Sequence, residues 1–238
     1  MNRGAVMALK EDIETKVRDI LLESDTTRKG RVVPAPDSIQ FGDDVLEFDQ
    51  ATVLYADLKG STKLVDSQPW WFAKEIYKAY LYSVGRIIRS QGGEITAYDG
   101  DRIMGVYLGN TQCADAARTA LKINHAVAEV LNPAFENKYA KNYSIEHVVG
   151  IDRSPLRVAR TGVRDDSDLV WIGRAANYAA KLTELNDGPS IWVTGEVFDN
   201  LTEDTWYGGS QKQIMWREWN WTPMNKMKIY SSTWQWSI

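Results

Sequence analysis

Apolar and polar positions recur along this chain with two different periods, and the points where the period changes divide it into elements. Residues 10–23 place Ile13, Val17, Ile20 and Leu21 on one helical face, which predicts an amphipathic helix. The stretch that follows, DTTRKGRVVPAPDS, mixes charge with Gly and Pro and reads as a linker or wrapping arm. The patterned core begins at Gln50. ATVLYAD, residues 51–57, is a short apolar run of β-formers ending in a carboxylate, as expected of a buried strand. KGSTKL turns the chain. Residues 70–90 then carry helical periodicity through Phe72, Ile76, Tyr80, Val84 and Ile87 until Gln91-Gly92-Gly93 stops them.

GEITAY and RIMGVYLG are two β-like runs separated by Asp99-Gly100-Asp101, a hairpin signal. A second long helix is predicted over about 111–131, ending before Pro133. Strands follow at about 144–151 and 155–172, then a helix from Gly173 to Leu185 closed by Asn186-Asp187-Gly188-Pro189. IWVTGEVF and a Trp-rich close predict a strand, a helical turn and a terminal hairpin. The order β-α-β-β-α-β with additions is that of an α+β fold, the ferredoxin-like split βαβ. The expected organisation is an N-terminal helix and arm over 1–48, a catalytic core over 49–200 and a C-terminal extension over 201–238 packed on that core.

Composition narrows the function. With 44% hydrophobic and 25% charged residues the chain is globular. A net charge of -4 argues against nucleic acid as a partner, which demands a basic face. The single cysteine, Cys113, rules out an intrachain disulfide. With no apolar run near the ~20 residues that span a bilayer and no signal-peptide core, a cytoplasmic, membrane-free protein is expected. His125 and His147, the two histidines, are too isolated for a zinc site. Most of the ten tryptophans fall from Trp192 onward, marking a tail that packs on something.

Three segments carry candidate chemistry. In the split βαβ order the first strand lies beside the strand after the hairpin turn, so Asp57 and Asp101 meet at one sheet edge and can hold a hard divalent cation. Each Asp alone would pass as a turn residue; the metal reading rests on both together with their surroundings. After Asp57, Gly60, Ser61 and Thr62 form a small-residue turn entering a helix, a cradle for phosphate or simply a helix cap. In DLVWIGRAANYAAKL, Asn177 and Lys181 stand at i and i+4 on one helix face. A neutral donor beside a cation suits charge developing on a phosphoryl group; the plain alternative is a solvated face.

In this order, YADLKGST, YDGDRIMGVY and WIGRAANYAAKL resemble the two metal motifs and the transition-state motif of class III nucleotidyl cyclase domains, over roughly residues 50–200. The resemblance implies a two-metal mechanism. Asp57, Asp101 and the Leu58 carbonyl would hold two Mg²⁺ or Mn²⁺ ions, Asn177 would orient the ribose, and Lys181, where the family has Arg, would stabilise the α-phosphate. It also implies a head-to-tail homodimer whose two chains share each site, with a late lysine, Lys212, Lys226 or Lys228, on the triphosphate.

At the positions where purine cyclases read their base, this chain has Ala97 and Val170. An apolar pair leaves a purine edge unsatisfied, while Tyr55 and Tyr98 add bulk near the pocket. The fuller strings look most like the stand-alone pyrimidine cyclases of the bacterial anti-phage Pycsar system. The expected reaction is therefore UTP to 3′,5′-cyclic UMP and pyrophosphate, the product activating a separate effector protein with a TIR or membrane domain. The alternatives are a cytidylate cyclase, a purine cyclase, and a catalytically inactive cyclase-like binding module. A diguanylate-cyclase-like or polymerase palm shares the paired acids but lacks support, since the turn here reads Tyr-Asp-Gly-Asp.

Overall fold

A computed structural model describes residues 3–24, 26–139, 143–163, 166–185 and 188–238. The chain forms two compact units, Met1–Phe48 with Arg157–Ile172, and Asp49–Leu156 with Gly173–Ile238.

In the smaller unit α1 spans Arg3–Leu22, and Ile13, Val17 and Ile20 on its apolar stripe are about half exposed. The stretch read as an arm contains a strand, β1 (Thr26–Lys29), paired in parallel with the start of β2 (Asp44–Lys59). Its signal is hidden because all four residues are exposed; ion pairs of Arg28 with Asp44 at 2.7 Å and Lys29 with Glu47 at 3.0 Å accompany the backbone pairing. β2 thus begins before Gln50. The end of β5 (Glu146–Val163) pairs antiparallel with β6 (Asp166–Ile172), so the two runs expected at 144–151 and 155–172 are one long strand and a hairpin.

The larger unit adds α2 (Ser61–Ser67), α3 (Trp70–Ser90), β3 (Glu94–Asp99), β4 (Arg102–Tyr107), α4 (Gln112–His125), α5 (Asn132–Tyr139), α6 (Arg174–Leu182), β7 (Ile191–Thr194), α7 (Gly195–Phe198) and α8 (Glu203–Trp206). A small pair, β8 (Tyr207–Gly208) and β9 (Gln213–Ile214), and a hairpin, β10 (Arg217–Trp221) and β11 (Met227–Ser232), complete it. The sheet order is β10-β11-β7-β5-β2-β4-β3. Its right half, β5-β2-β4-β3, is the split βαβ arrangement. On β2, Leu54, Ala56 and Leu58 are buried in one core with α3 and α4, while the alternate residues Tyr55, Asp57 and Lys59 stay partly open.

The second long helix does not stop at Pro133. A π turn over Ala126–Leu131 links α4 to α5, and Pro133 sits in the first turn of α5, where a missing N–H costs little. The Asn132 side chain braces this junction by accepting from the Ile145 N–H (2.7 Å) and donating to its carbonyl (3.2 Å). Helix α6 ends at Leu182, three residues short of the expected Leu185; Asn186 and Asp187 lie outside the described residues. The Trp-rich tail extends the sheet from β7, with Trp216 and Trp221 buried and the Trp216 indole donating to the Thr205 carbonyl. No described helix is long and apolar enough to cross a membrane.

Candidate active site

Asp57 sits two residues before the end of β2 on its open face. β4 runs antiparallel beside it, with Tyr55 opposite Met104 and Ala56 opposite Ile103. Asp99 and Arg102 close the β3-β4 hairpin as a pair, so Asp101 occupies the two-residue turn, where Gly100 takes φ 62°, a left-handed value that suits glycine. The turn delivers Asp101 to the end of the sheet where Asp57 stands. Burial and then the Asp101 charge raise the Asp57 carboxyl to about 6, against opposing pulls from Arg102 and the Leu58 N–H. Oδ2 of Asp101 is buried without a hydrogen-bond partner. A repelling carboxylate pair with an orphaned buried oxygen is what a hard cation satisfies, so the residues fit divalent metal. No group of three or more His, Cys, Asp and Glu suited to a metal exists among the described residues, leaving a two-carboxylate site to which the Leu58 carbonyl could add.

Gly60, at φ 72° and with open space where a Cβ would be, turns the chain from β2 into α2 at Ser61. Asp57 through Thr62 line one side of a cleft of about 330 Å³, with Val148, Thr183 and Glu184 across from them. The predicted metal and phosphate residues Asp57, Leu58, Gly60, Ser61 and Thr62 are therefore together. Asp101 adjoins them through its charge on Asp57.

Asn177 and Lys181 do not join them within this chain. Both are exposed on α6, and neither lines the cleft. Helix α6 itself is firmly seated. The Arg174 guanidinium grips the fully buried Asp152 at 3.0 and 3.2 Å, Ser154 Oγ accepts from the Ala175 N–H, and a side chain at Gly150 would collide with the Ala179 carbonyl.

Of the base-pocket residues, Ala97 and Tyr55 flank Met104 in one row across β3, β4 and β2. Tyr98 is not brought to that row. It pairs with Ile103 on the opposite face, and its hydroxyl lies against Gly85 of α3. A register shift between Ile95 and Ala97 sets this placement, and sequence spacing alone does not reveal it. Val170 lies on β6 of the smaller unit, 38% exposed.

Three residues had no functional signal in the sequence. Tyr80 belongs to the apolar stripe of α3 yet donates its hydroxyl to the Asp57 carbonyl at 3.3 Å. Tyr77, one turn earlier, has its phenol pushed up by burial and then by the charge of Asp101. Arg102 pairs with Asp99 at 3.1 Å and lies 5.3 Å from the Tyr55 ring centroid. Of the late lysines, Lys212 pairs with Glu203 at 2.6 Å and Lys228 with Glu218 at 3.1 Å, and none of the three lines the cleft.

No family model matches the chain. It is 43% identical over 233 residues to a uridylate cyclase of Burkholderia cepacia, covering 98% of this chain and 100% of that one. It is 44% identical over 236 residues to a uridylate cyclase of Xanthomonas perforans, covering 98% and 100%. Among solved structures, the adenylyl cyclase CyaB of P. aeruginosa superposes with a TM-score of 0.67 at 19% identity, covering 79% of this chain and 95% of that one. The guanylyl cyclase Cya2 does so with 0.65 at 16%, covering 81% and 94%.

Proposed function

This chain belongs to the uridylate cyclases and carries the class III nucleotidyl cyclase fold, and from that premise we propose that it converts UTP into 3′,5′-cyclic UMP and pyrophosphate with two divalent metal ions. The observation that carries the reading is the Asp57–Asp101 pair, two carboxylates at one end of the sheet with a buried oxygen left unpaired. Asp57, Asp101 and the Leu58 carbonyl would hold Mg²⁺ or Mn²⁺. When bound, such ions lower the pKa of the ribose 3′-hydroxyl and neutralise the triphosphate.

The protein's own groups do the rest. Gly60, Ser61 and Thr62 hold the phosphate chain in the cleft. Asn177 orients the ribose, and Lys181 balances the charge that grows on the α-phosphate as the 3′-oxygen attacks and pyrophosphate leaves. In a head-to-tail homodimer the partner subunit supplies these two groups, which accounts for their exposure on α6 away from the cleft of their own chain. Catalysis is assigned to residues 49–200, with 1–48 and 201–238 flanking. Tyr55, across Met104 from Ala97 in the same row, narrows the base site to a single ring, and Ala97 offers no polar reader for a purine. Cyclic UMP would serve in the cytoplasm as a second messenger of anti-phage defence, acting on a separate effector.

The test is incubation of the pure protein with each of the four ribonucleoside triphosphates and Mn²⁺, with products identified by mass and Asp57→Ala as the blank. Cyclic UMP from UTP is expected; a cyclic purine as main product overturns the base assignment.

A further inference from the structure

Lys59 is the last residue of β2 and shares its open face with Asp57, two residues earlier. At the strand rise the two side chains start about 7 Å apart, within the reach of a lysine. Lys59 lines the same cleft as Asp57 and the Gly60–Thr62 turn. Its ammonium lies 3.3 Å from Glu146, and the two side chains are 29% and 60% exposed. An ion pair with so exposed a carboxylate contributes little, whereas a charge-assisted bond to a phosphate is short and strong. The cation therefore rests on a weak partner, Glu146, which lines a neighbouring cavity that Lys59 also borders. The late lysines to which the sequence points line no part of the Asp57 cleft.

We propose that Lys59 is the phosphate-gripping cation contributed by the metal-binding half of the site. It would exchange Glu146 for the β- and γ-phosphates of the substrate and then hold the departing pyrophosphate. This rests on the reading of the cleft as the triphosphate site. It gives Lys59 a role in binding, since the charge it meets is present both before and after the bond to the α-phosphate breaks.

The test measures affinity for inorganic pyrophosphate by calorimetry in Mg²⁺, beside kcat and KM for UTP, in Lys59→Met and Lys59→Arg. Met keeps the aliphatic stem and removes the charge. We expect Lys59→Met to weaken pyrophosphate about tenfold and raise KM by a similar factor with kcat within about threefold, and Lys59→Arg to restore most of the affinity. Pyrophosphate binding by Lys59→Met within twofold of the parent overturns the proposal. Should Asp57→Ala retain turnover, the reading of the cleft itself fails, whatever the Lys59 variants do.

Discussion

The phenol of Tyr80 donates to the backbone carbonyl of Asp57 at 3.3 Å, tying the centre of α3 to the strand end that carries the carboxylate. Tyr80 is fully buried, so the bond is shielded from water and would limit how far Asp57 shifts on taking the proposed cation. Tyr80→Phe removes the bond and keeps the packing. The expected result is an increase of about three- to tenfold in the Mn²⁺ concentration for half-maximal turnover, with kcat at saturating metal little changed. Equal metal titrations of parent and variant would dismiss the restraint.

The proposed sharing of each site between two chains makes a sharp prediction about mixtures. Asp57→Ala and Asn177→Ala should each lower turnover at least about a hundredfold. Refolded together, they form mixed dimers in which one of the two sites has every group intact. Activity should return toward about a quarter of the parent's for random pairing. Two dead chains that stay dead after mixing would place the whole site within one chain.

Much of this was legible in the sequence because period and chemistry agree there. The β2 run ends in Asp57, the Asp-Gly hairpin presents Asp101, and α3 keeps a clean apolar stripe. What escaped depends on geometry that spacing does not encode. β1 exposes all four of its residues and shows no alternation. The π turn carries the helix past Pro133. The irregularity around Thr96 sets which face Tyr98 takes. Tyr80 was hidden for a different reason, since a tyrosine within an apolar helical stripe looks like core, and only its hydroxyl does more.

Lys181 is the proposed transition-state cation. Lys181→Ala should lower kcat at least about a hundredfold while UTP binding changes less than threefold, because the charge it meets develops in the transition state. Lys181→Arg should keep measurable turnover, the planar fork being suited to a phosphoryl group. An Ala variant with undiminished kcat would remove Lys181 from that role.

The row Ala97–Met104–Tyr55 leads to a prediction about the base. Tyr55 is the bulky member on the strand of Asp57, and Tyr55→Ala opens space for a second ring. The ratio of kcat/KM for ATP to that for UTP should rise about tenfold or more. An unchanged ratio from competition assays would take Tyr55 out of base selection.

Acid should act on the metal-free protein through two groups of opposite sign. His147 is buried, its Nε2 2.8 Å from Asn124 Oδ1. Asn124 donates its own amide N–H to the Trp234 carbonyl, so its oxygen accepts and His147 Nε2 carries the proton as a neutral ring. Burial lowers His147 to about 4 from 6.5. Its stabilisation is complete above pH 6.5 and is lost as pH falls toward 4, a cost of about 3 kcal/mol at most. Asp57 is raised to about 6 from 3.8, so its ionisation weakens the fold as pH climbs through that window. Acidification relieves this by about 1 kcal/mol after allowing for solvent screening of a half-open group. Urea unfolding in chelator at pH 7 and pH 4.5 separates the two. His147→Gln, which keeps a donor for Asn124 and cannot charge, should lose clearly less stability than the parent on acidification. Asp57→Asn should be more stable than the parent at pH 7 and should lose more on moving to pH 4.5. Parallel pH dependence in all three proteins would mean that neither group is perturbed by folding, and would remove the electrostatic strain on Asp57 from the case for its proposed metal role.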